Sequence, residues 1–366
     1  MDWPTLPDDH PTPSLVVHAP RVRRNLERMQ TYCRDHGLRL RPHTKTHKSR
    51  IMAGWQLDQG ASGLTVAKIG EAECMSDRCS DLFVAYPAVG RQRLERLGQL
   101  ARTHRLSVGI DSMEALEAID ATARAHSAKI GILVDLDVGF HRTGLADASQ
   151  AIALCQSASQ RSHVELRGVM CFPGHLPVDA PEPLWQDYEA SIRAVVEPLE
   201  RSGIAIETIS GGSTPTAMHS HRNRLLNEIR PGTYIYNDWN EVRLGVATPE
   251  DCAARVIATV VSMPSRHRWV VDAGSKTLSS DRNAADPDSG FGHVVGYPEA
   301  KIVRLSEEHG EITVPESSQL PPPEIGQSLW IIPNHICVCV NLQNQFLLVD
   351  DGTSQWLPVD ARGMLV

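Results

Sequence analysis

The chain lacks any apolar run of the ~20 residues that a membrane helix needs, so none of its 366 residues read as part of a span. It also lacks an excess of positive charge. Lys and Arg number 36 against 44 Asp and Glu, a formal net charge of -8, which argues against nucleic acid as the main partner. Residues 1–13 are polar and proline-rich and have no apolar core of a secretory signal. The eight cysteines, at 33, 74, 79, 155, 171, 252, 337 and 339, are scattered rather than arranged as a dense disulfide framework. Reduced thiols in a cytoplasm are therefore expected. What remains is ordinary for a soluble globular protein, with 41% hydrophobic and 22% charged residues. The length suits two domains, or one barrel with an addition.

Strand-like runs occur at 38–43, 62–67, 81–86, 106–111, 129–137, 165–172, 205–211 and 228–236. Segments of helical spacing lie between them, at 49–59, 69–78, 91–104, 112–126, 147–159, 182–202 and, more weakly, 215–226. A strand at 14–18 precedes a helix that Pro20 opens, with Val22, Leu26, Met29 and Cys33 on one face and Gly37 as its stop. Eight strands alternating with helices predict an α/β fold, a parallel sheet closed as a (β/α)8 TIM barrel over residues 21–245. A doubly wound open sheet is the alternative. Beyond residue 245 the runs at 252–262, 269–273, 301–305, 311–314, 328–332, 336–342 and 346–349 are short and β-rich, with no helix of useful length. Residues 246–366, together with 1–20, are expected to form an all-β domain.

Chemistry in a barrel collects at the C-terminal ends of the strands. The first strand runs into Arg41-Pro42-His43-Thr44-Lys45-Thr46-His47-Lys48, and Pro42 biases Arg41 toward an extended conformation that ends there. A lysine just past a strand, hemmed in by His43, His47 and Lys48, is a candidate Schiff-base nucleophile, since cationic neighbours favour the free amine. A basic surface turn is the plainer alternative. The seventh strand enters Gly211-Gly212-Ser213-Thr214-Pro215-Thr216, and the eighth carries Arg230-Pro231-Gly232-Thr233-Tyr234. Glycines let the backbone approach an anion, hydroxyls add donors, and the loops after strands 7 and 8 are where barrels hold phosphate. Arg142, in Gly-Phe-His-Arg-Thr-Gly after Asp135 and Asp137, is a permanent cation for a phenolate or carboxylate, or a salt-bridge partner of those aspartates. Phe172 and His175 stand at the end of the sixth strand. A lysine at one strand end and a phosphate cradle across the barrel suggest pyridoxal 5'-phosphate (PLP).

The β-rich region adds Pro333-Asn334-His335-Ile336-Cys337. Read as a strand, it puts His335 and Cys337 on one face, with Cys339 continuing the alternation. Imidazole and thiolate suit zinc, and two protein ligands alone would leave the ion open to water or substrate. Ser306-Glu307-Glu308-His309-Gly310 is either an acid near that metal or a charged turn. A racemase would need a second base opposite Lys45, typically a tyrosine, and the β-rich region offers only Tyr297.

Seven motifs in order resemble one family, the D-threonine aldolases and eukaryotic-type D-serine dehydratases of the alanine-racemase-like fold. They are R-P-H-T-K-T-H-K at 41–48, G-L-T-V-A-K-I-G-E-A-E at 63–73, G-F-H-R-T-G at 139–144, G-G-S-T-P-T at 211–216, R-P-G-T-Y at 230–234, S-E-E-H-G at 306–310 and P-N-H-I-C at 333–337. The resemblance implies that Lys45 holds PLP as a Schiff base, that Arg142 contacts the PLP ring oxygen, and that Gly211, Gly212, Ser213, Thr214, Gly232, Thr233 and Tyr234 hold its phosphate. Phe172 stands where some members place an aromatic hydroxyl against the ring, with His175 nearby. His335 and Cys337 would bind a divalent metal, zinc from the ligand types, with manganese or magnesium as alternatives. His43 and His335 are the candidate bases beside Lys45. The implied enzyme is a homodimeric lyase acting on a small D-amino acid. It would cleave a D-β-hydroxy-α-amino acid to glycine and an aldehyde, or dehydrate D-serine or D-threo-3-hydroxyaspartate to a 2-oxo acid and ammonia. The family's aldolases are described with His and Asp on the metal and its dehydratases with His and Cys.

Overall fold

The structure is a computed structural model that describes residues 3, 4, 6, 7, 9–283 and 286–366. It contains two compact units. One comprises Glu27–Lys45, Ser49–Gly232 and Gly363–Val366, and the other Met1–Leu26, Thr46–Lys48 and Thr233–Arg362.

The first unit is the barrel. Its strands are Arg39–Leu40, Leu64–Val66, Asp81–Val84, Arg105–Ile110, Ile130–Leu136, Val164–Cys171, Thr208–Gly211 and Glu228–Ile229. Each pairs in parallel with its neighbour, and Glu228–Ile229 pairs back onto Arg39–Leu40. The ring closes through a parallel bridge of His43 to Thr65, where Thr65 N–H donates to the Pro42 carbonyl and Thr44 N–H to the Thr65 carbonyl, each at 2.9 Å. Parallel strands covered on both faces need continuous apolar runs rather than alternation, and Ile130–Leu136 is buried at every position.

Helices Arg50–Asp58, Ile69–Met75, Arg91–Ala101, Met113–Ala125, Ala148–Ser159 and Glu182–Arg201 occupy the expected crossovers. Residue chemistry explains their starts and faces. Ser112 caps Met113–Ala125 by accepting from Ala115 N–H, and Asp147 caps Ala148–Ser159 by accepting from Ser149 N–H. Glu182–Arg201 buries Trp185, Tyr188, Ile192, Val195, Val196 and Leu199, a single stripe at helical spacing.

Two barrel expectations fail for local reasons. The run at 228–236 is not one strand. Pro231 has no N–H for the ladder, and from Thr233 the chain winds into a 3-10 turn, Thr233–Ile235, with Asn237 N–H on the Thr233 carbonyl at 2.7 Å. The helix at 215–226 is a shorter 3-10 turn, Ala217–Arg222.

Gly168 shows how tightly adjacent strands are set. Its φ is +151°, and a Cβ there would lie 1.9 Å from the Thr208 carbonyl oxygen. Gly168→Ala is expected to cost about 2–3 kcal/mol, read as a lowered midpoint in urea with an unchanged slope.

Over its described residues the second unit is built on a mostly antiparallel nine-stranded sheet. Its strands are Ser14–His18, Ala254–Ser265, Arg268–Val271, Gly292–Val294, Lys301–Leu305, Gly310–Thr313, Ser328–Pro333, Gln345–Asp350 and Thr353–Pro358. Ser14–His18 lies between Ala254–Ser265 and Gln345–Asp350, pairing antiparallel with the first and parallel with the second. Beyond residue 245 the run at 336–342 is corrected from β to the short helix Ile336–Leu342, and Ser275–Leu278 is a single helical turn. No helix among the described residues is long and apolar enough to cross a membrane.

Candidate active site

Lys45 stands two residues beyond the bridge that closes the barrel. Its side chain is exposed while Thr44 before it and Thr46 after it are fully buried. The Lys45 N–H donates to His43 Nδ1 at 3.3 Å, and Thr44 Oγ1 donates to the Thr65 carbonyl at 3.3 Å. The backbone is pinned on both sides and the amine is presented outward, as a nucleophile requires. Lys48 is spent differently. It is 4% exposed, and its Nζ donates to the Ala361 carbonyl at 3.4 Å.

After the strand Ile130–Leu136, Asp137 organises the loop. Its Oδ1 accepts the N–H groups of Gly139 at 3.0 Å and His141 at 2.9 Å, and its Oδ2 lies 2.8 Å from His141 Nδ1. Arg142 follows, its guanidinium 4.7 Å from the Phe172 ring centroid and 5.3 Å from that of Phe140. The two phenyl rings meet edge to face at 5.0 Å. Arg142 makes no ion pair among the described residues, so the salt bridge to Asp135 or Asp137 does not form, and the aromatic pair aims the cation instead. Asp135 is taken by Thr143, whose Oγ1 donates at 2.8 Å, and burial raises its carboxyl to about 6. His175 packs over Gly139, where a Cβ would come within 3.0 Å of its Nε2. Burial lowers its pKa, against the pull of Asp137.

Across the barrel, Gly212 has φ +83°, and a Cβ there would press on Ile229 Cβ at 3.1 Å. Ser213, Thr214 and Thr216 are all buried, with Ser213 Oγ 3.0 Å from Thr216 Oγ1. Gly211 faces the Tyr188 hydroxyl, 2.5 Å from where its Cβ would be. Gly232 is buried at the end of this unit. Arg230 is buried and donates through Nη2 to the Cys171 carbonyl at 2.9 Å, while its Nη1 is buried with no hydrogen-bond partner among the described residues. A narrow backbone cradle with hydroxyl donors and a cation with a donor to spare fits an anionic, planar cofactor such as PLP. In the other unit, Thr233 and Tyr234 open the 3-10 turn and are buried.

His335 and Cys337 do not alternate on a strand. His335 is extended (φ -131°, ψ 108°) and precedes the helix Ile336–Leu342, which carries Cys337. The cause is Asp238, which sequence reasoning missed. Its Oδ2 accepts the Ile336 N–H at 3.1 Å and lies 3.0 Å from His335 Nδ1, so a side chain satisfies the start of a helix that apolar alternation hides. The signal was present in Asp238-Trp239-Asn240-Glu241, the D-x-x-E spacing of a helix start. Cys337 Sγ lies 3.2 Å from Thr46 Oγ1 and 3.8 Å from Thr233 Oγ1. Cys339 is fully buried, and burial raises its thiol to about 12. Two residues along a helix is about 200° of turn, so Cys339 faces away from Cys337 and not to the same side. Burial alone would lower the pKa of His335, but Cys337 and Asp238 outweigh it and raise the pKa to about 11. The locality favours positive charge, and a neutral imidazole with a thiolate is a zinc-type donor pair. Among the described residues no three His, Cys, Asp or Glu side chains converge as a metal cage. Glu307 and Glu308 are a charged turn, both paired with Lys276 at 2.8 Å.

The family model for the alanine racemase N-terminal domain matches residues 17–239, and that for a putative serine dehydratase domain matches 253–349. The D-threonine aldolase of Arthrobacter sp is 31% identical over 96% of this chain and 93% of its own length. This chain belongs to the family of D-threonine aldolases and D-serine dehydratases. A D-threo-3-hydroxyaspartate dehydratase of Delftia sp. (strain HT23) is 32% identical over 89% of this chain and 90% of its own. Among solved structures, a D-threonine aldolase from Filomicrobium marinum superposes with a TM-score of 0.89 at 28% identity, covering 98% of each chain. A cysteine-to-alanine mutant of a D-threo-3-hydroxyaspartate dehydratase, solved in a metal-free form, gives 0.87 at 29% identity over 96% of this chain and 98% of that one. As a member of this family the chain is a lyase of the aldolase or dehydratase kind.

Proposed function

We propose that this protein is a PLP- and divalent-metal-dependent lyase that cleaves a D-β-hydroxy-α-amino acid to glycine and an aldehyde. Lys45 carries the reading. It is the exposed lysine of an otherwise pinned segment, at the strand end where barrel chemistry sits. When bound, PLP withdraws electrons from the substrate Cα and a divalent ion polarises the β-hydroxyl. The chain's own residues do the rest. Lys45 Nζ would bond the cofactor, Arg142 would hold its ring oxygen, Phe172 and His175 would contact the ring, and Gly211, Gly212, Ser213, Thr214, Gly232, Thr233 and Tyr234 would hold the phosphate. His335 Nε2 and Cys337 Sγ would hold the ion, zinc by donor type. His43 removes the hydroxyl proton in the cleavage.

A second reading is dehydration of D-serine or D-threo-3-hydroxyaspartate, with Lys45 Nζ taking the Cα proton. Cys337 favours it, because family dehydratases are described with His and Cys on the metal. Supplying D-threonine, D-serine and D-threo-3-hydroxyaspartate and scoring glycine against ammonia decides between the two. Neither product from any of them would sink the proposal. The active form is taken to be a homodimer in the cytoplasm, in keeping with eight cysteines that form no disulfide among the described residues.

The cradle has its own test. Gly212→Val adds a branched side chain at a positive φ against Ile229. The variant should release PLP at least about tenfold more readily, ~1.4 kcal/mol, read by dialysis and absorbance. Unchanged retention would place the phosphate elsewhere.

A further inference from the structure

We propose that Asp238 is the positioning residue of the metal pair and dictates which nitrogen of His335 faces the ion. The inference rests on the reading of His335 and Cys337 as ligands. Asp238 is 1% exposed, and both of its oxygens are engaged. Oδ1 accepts the Glu241 N–H at 3.1 Å, capping the helix Trp239–Arg243. Oδ2 accepts the Ile336 N–H at 3.1 Å and meets His335 Nδ1 at 3.0 Å.

The proton assignment follows from these contacts. Each Asp238 oxygen already accepts a backbone N–H, so the carboxylate meets the imidazole as a hydrogen-bond acceptor. The 3.0 Å contact therefore needs the ring proton on Nδ1. Nδ1 is thereby occupied, and Nε2 is the ring nitrogen left for a metal, which would take the place of any proton there.

The same oxygen fixes the first N–H of the helix that carries Cys337. One buried carboxylate thus sets the imidazole through its tautomer and the thiol through the helix start. The hydroxyls of Thr46 and Thr233 reach the sulfur at 3.2 and 3.8 Å. A carboxylate serving only as a helix cap would have no need of the imidazole.

The test uses the PLP-loaded protein, stripped of metal and titrated with zinc against a chromophoric competitor. Asp238→Asn should raise the zinc Kd by about 10–100-fold while PLP absorbance is retained. In the zinc-loaded wild type, long-range ¹H–¹⁵N spectra of His335 should show a protonated Nδ1 and a coordinated Nε2. That readout does not depend on the variant folding, and a purely structural role for Asp238 would not produce it. Coordination through Nδ1, or an Asp238→Asn variant that is folded and binds zinc as tightly as wild type, overturns the inference alone. Wild type that binds no zinc overturns the ligand reading beneath it, and the inference with it.

Discussion

Lys45→Ala is expected to abolish the visible absorbance of bound PLP and to lower turnover by at least about 10³-fold, while the protein stays folded. Both halves follow from the contrast between the lysine and its surroundings. Lys45 is exposed, and the hydrogen bond made at its position comes from its backbone N–H to His43, which alanine preserves. Truncating an exposed side chain of this kind changes stability by about 0.5 kcal/mol or less. Its proposed role is covalent, so nothing else in the chain supplies it. Lys48→Ala should behave in the opposite way, losing stability through the buried contact with the Ala361 carbonyl while keeping the cofactor. Borohydride reduction followed by peptide mapping checks the assignment. An adduct that persists in Lys45→Ala and maps to Lys48 or Lys68 would move the Schiff base.

Removing the metal should stop turnover and leave PLP absorbance in place. The proposed ligands, His335 and Cys337, are not among the residues that hold PLP in this reading. Chelation and Cys337→Ala are each expected to lower turnover by at least about 100-fold, with zinc content by elemental analysis falling in step. Cys339→Ala should keep both metal and activity. Its thiol is raised to about 12 by burial, so it offers no thiolate near neutrality, and it sits in the core. Any cost there is in stability. Cys337→Asp replaces a soft donor with a hard one and should shift preference from zinc toward manganese or magnesium. Full activity of protein shown to be metal-free would leave Cys337 as a packing residue and remove the metal from the mechanism.

The sequence by itself determined the barrel and the rim residues. Eight apolar runs alternating with helical spacing admit few architectures, and glycines, hydroxyls and Lys45 stand at the strand ends where the site is proposed. Those signals are local, carried by residues within one turn or one strand, so they survive without coordinates. It also determined the β-rich character of the strand-forming remainder, from Ala254–Ser265 through Thr353–Pro358. Tertiary structure decided what depends on partners far apart in the chain. The segment after Pro333 alternates apolar residues and reads as a strand, yet it is a helix because a carboxylate from residue 238 satisfies its first N–H. Arg142 had two aspartates close by in sequence and turned to two phenyl rings, one of them thirty positions away along the chain. The last barrel strand stops at Ile229 because Pro231 breaks the ladder and Thr233 begins a turn. In the first two cases one long-range hydrogen bond or ring contact, worth about 1 kcal/mol or more once water is excluded, settled the conformation, whereas the strand end follows from the local chain.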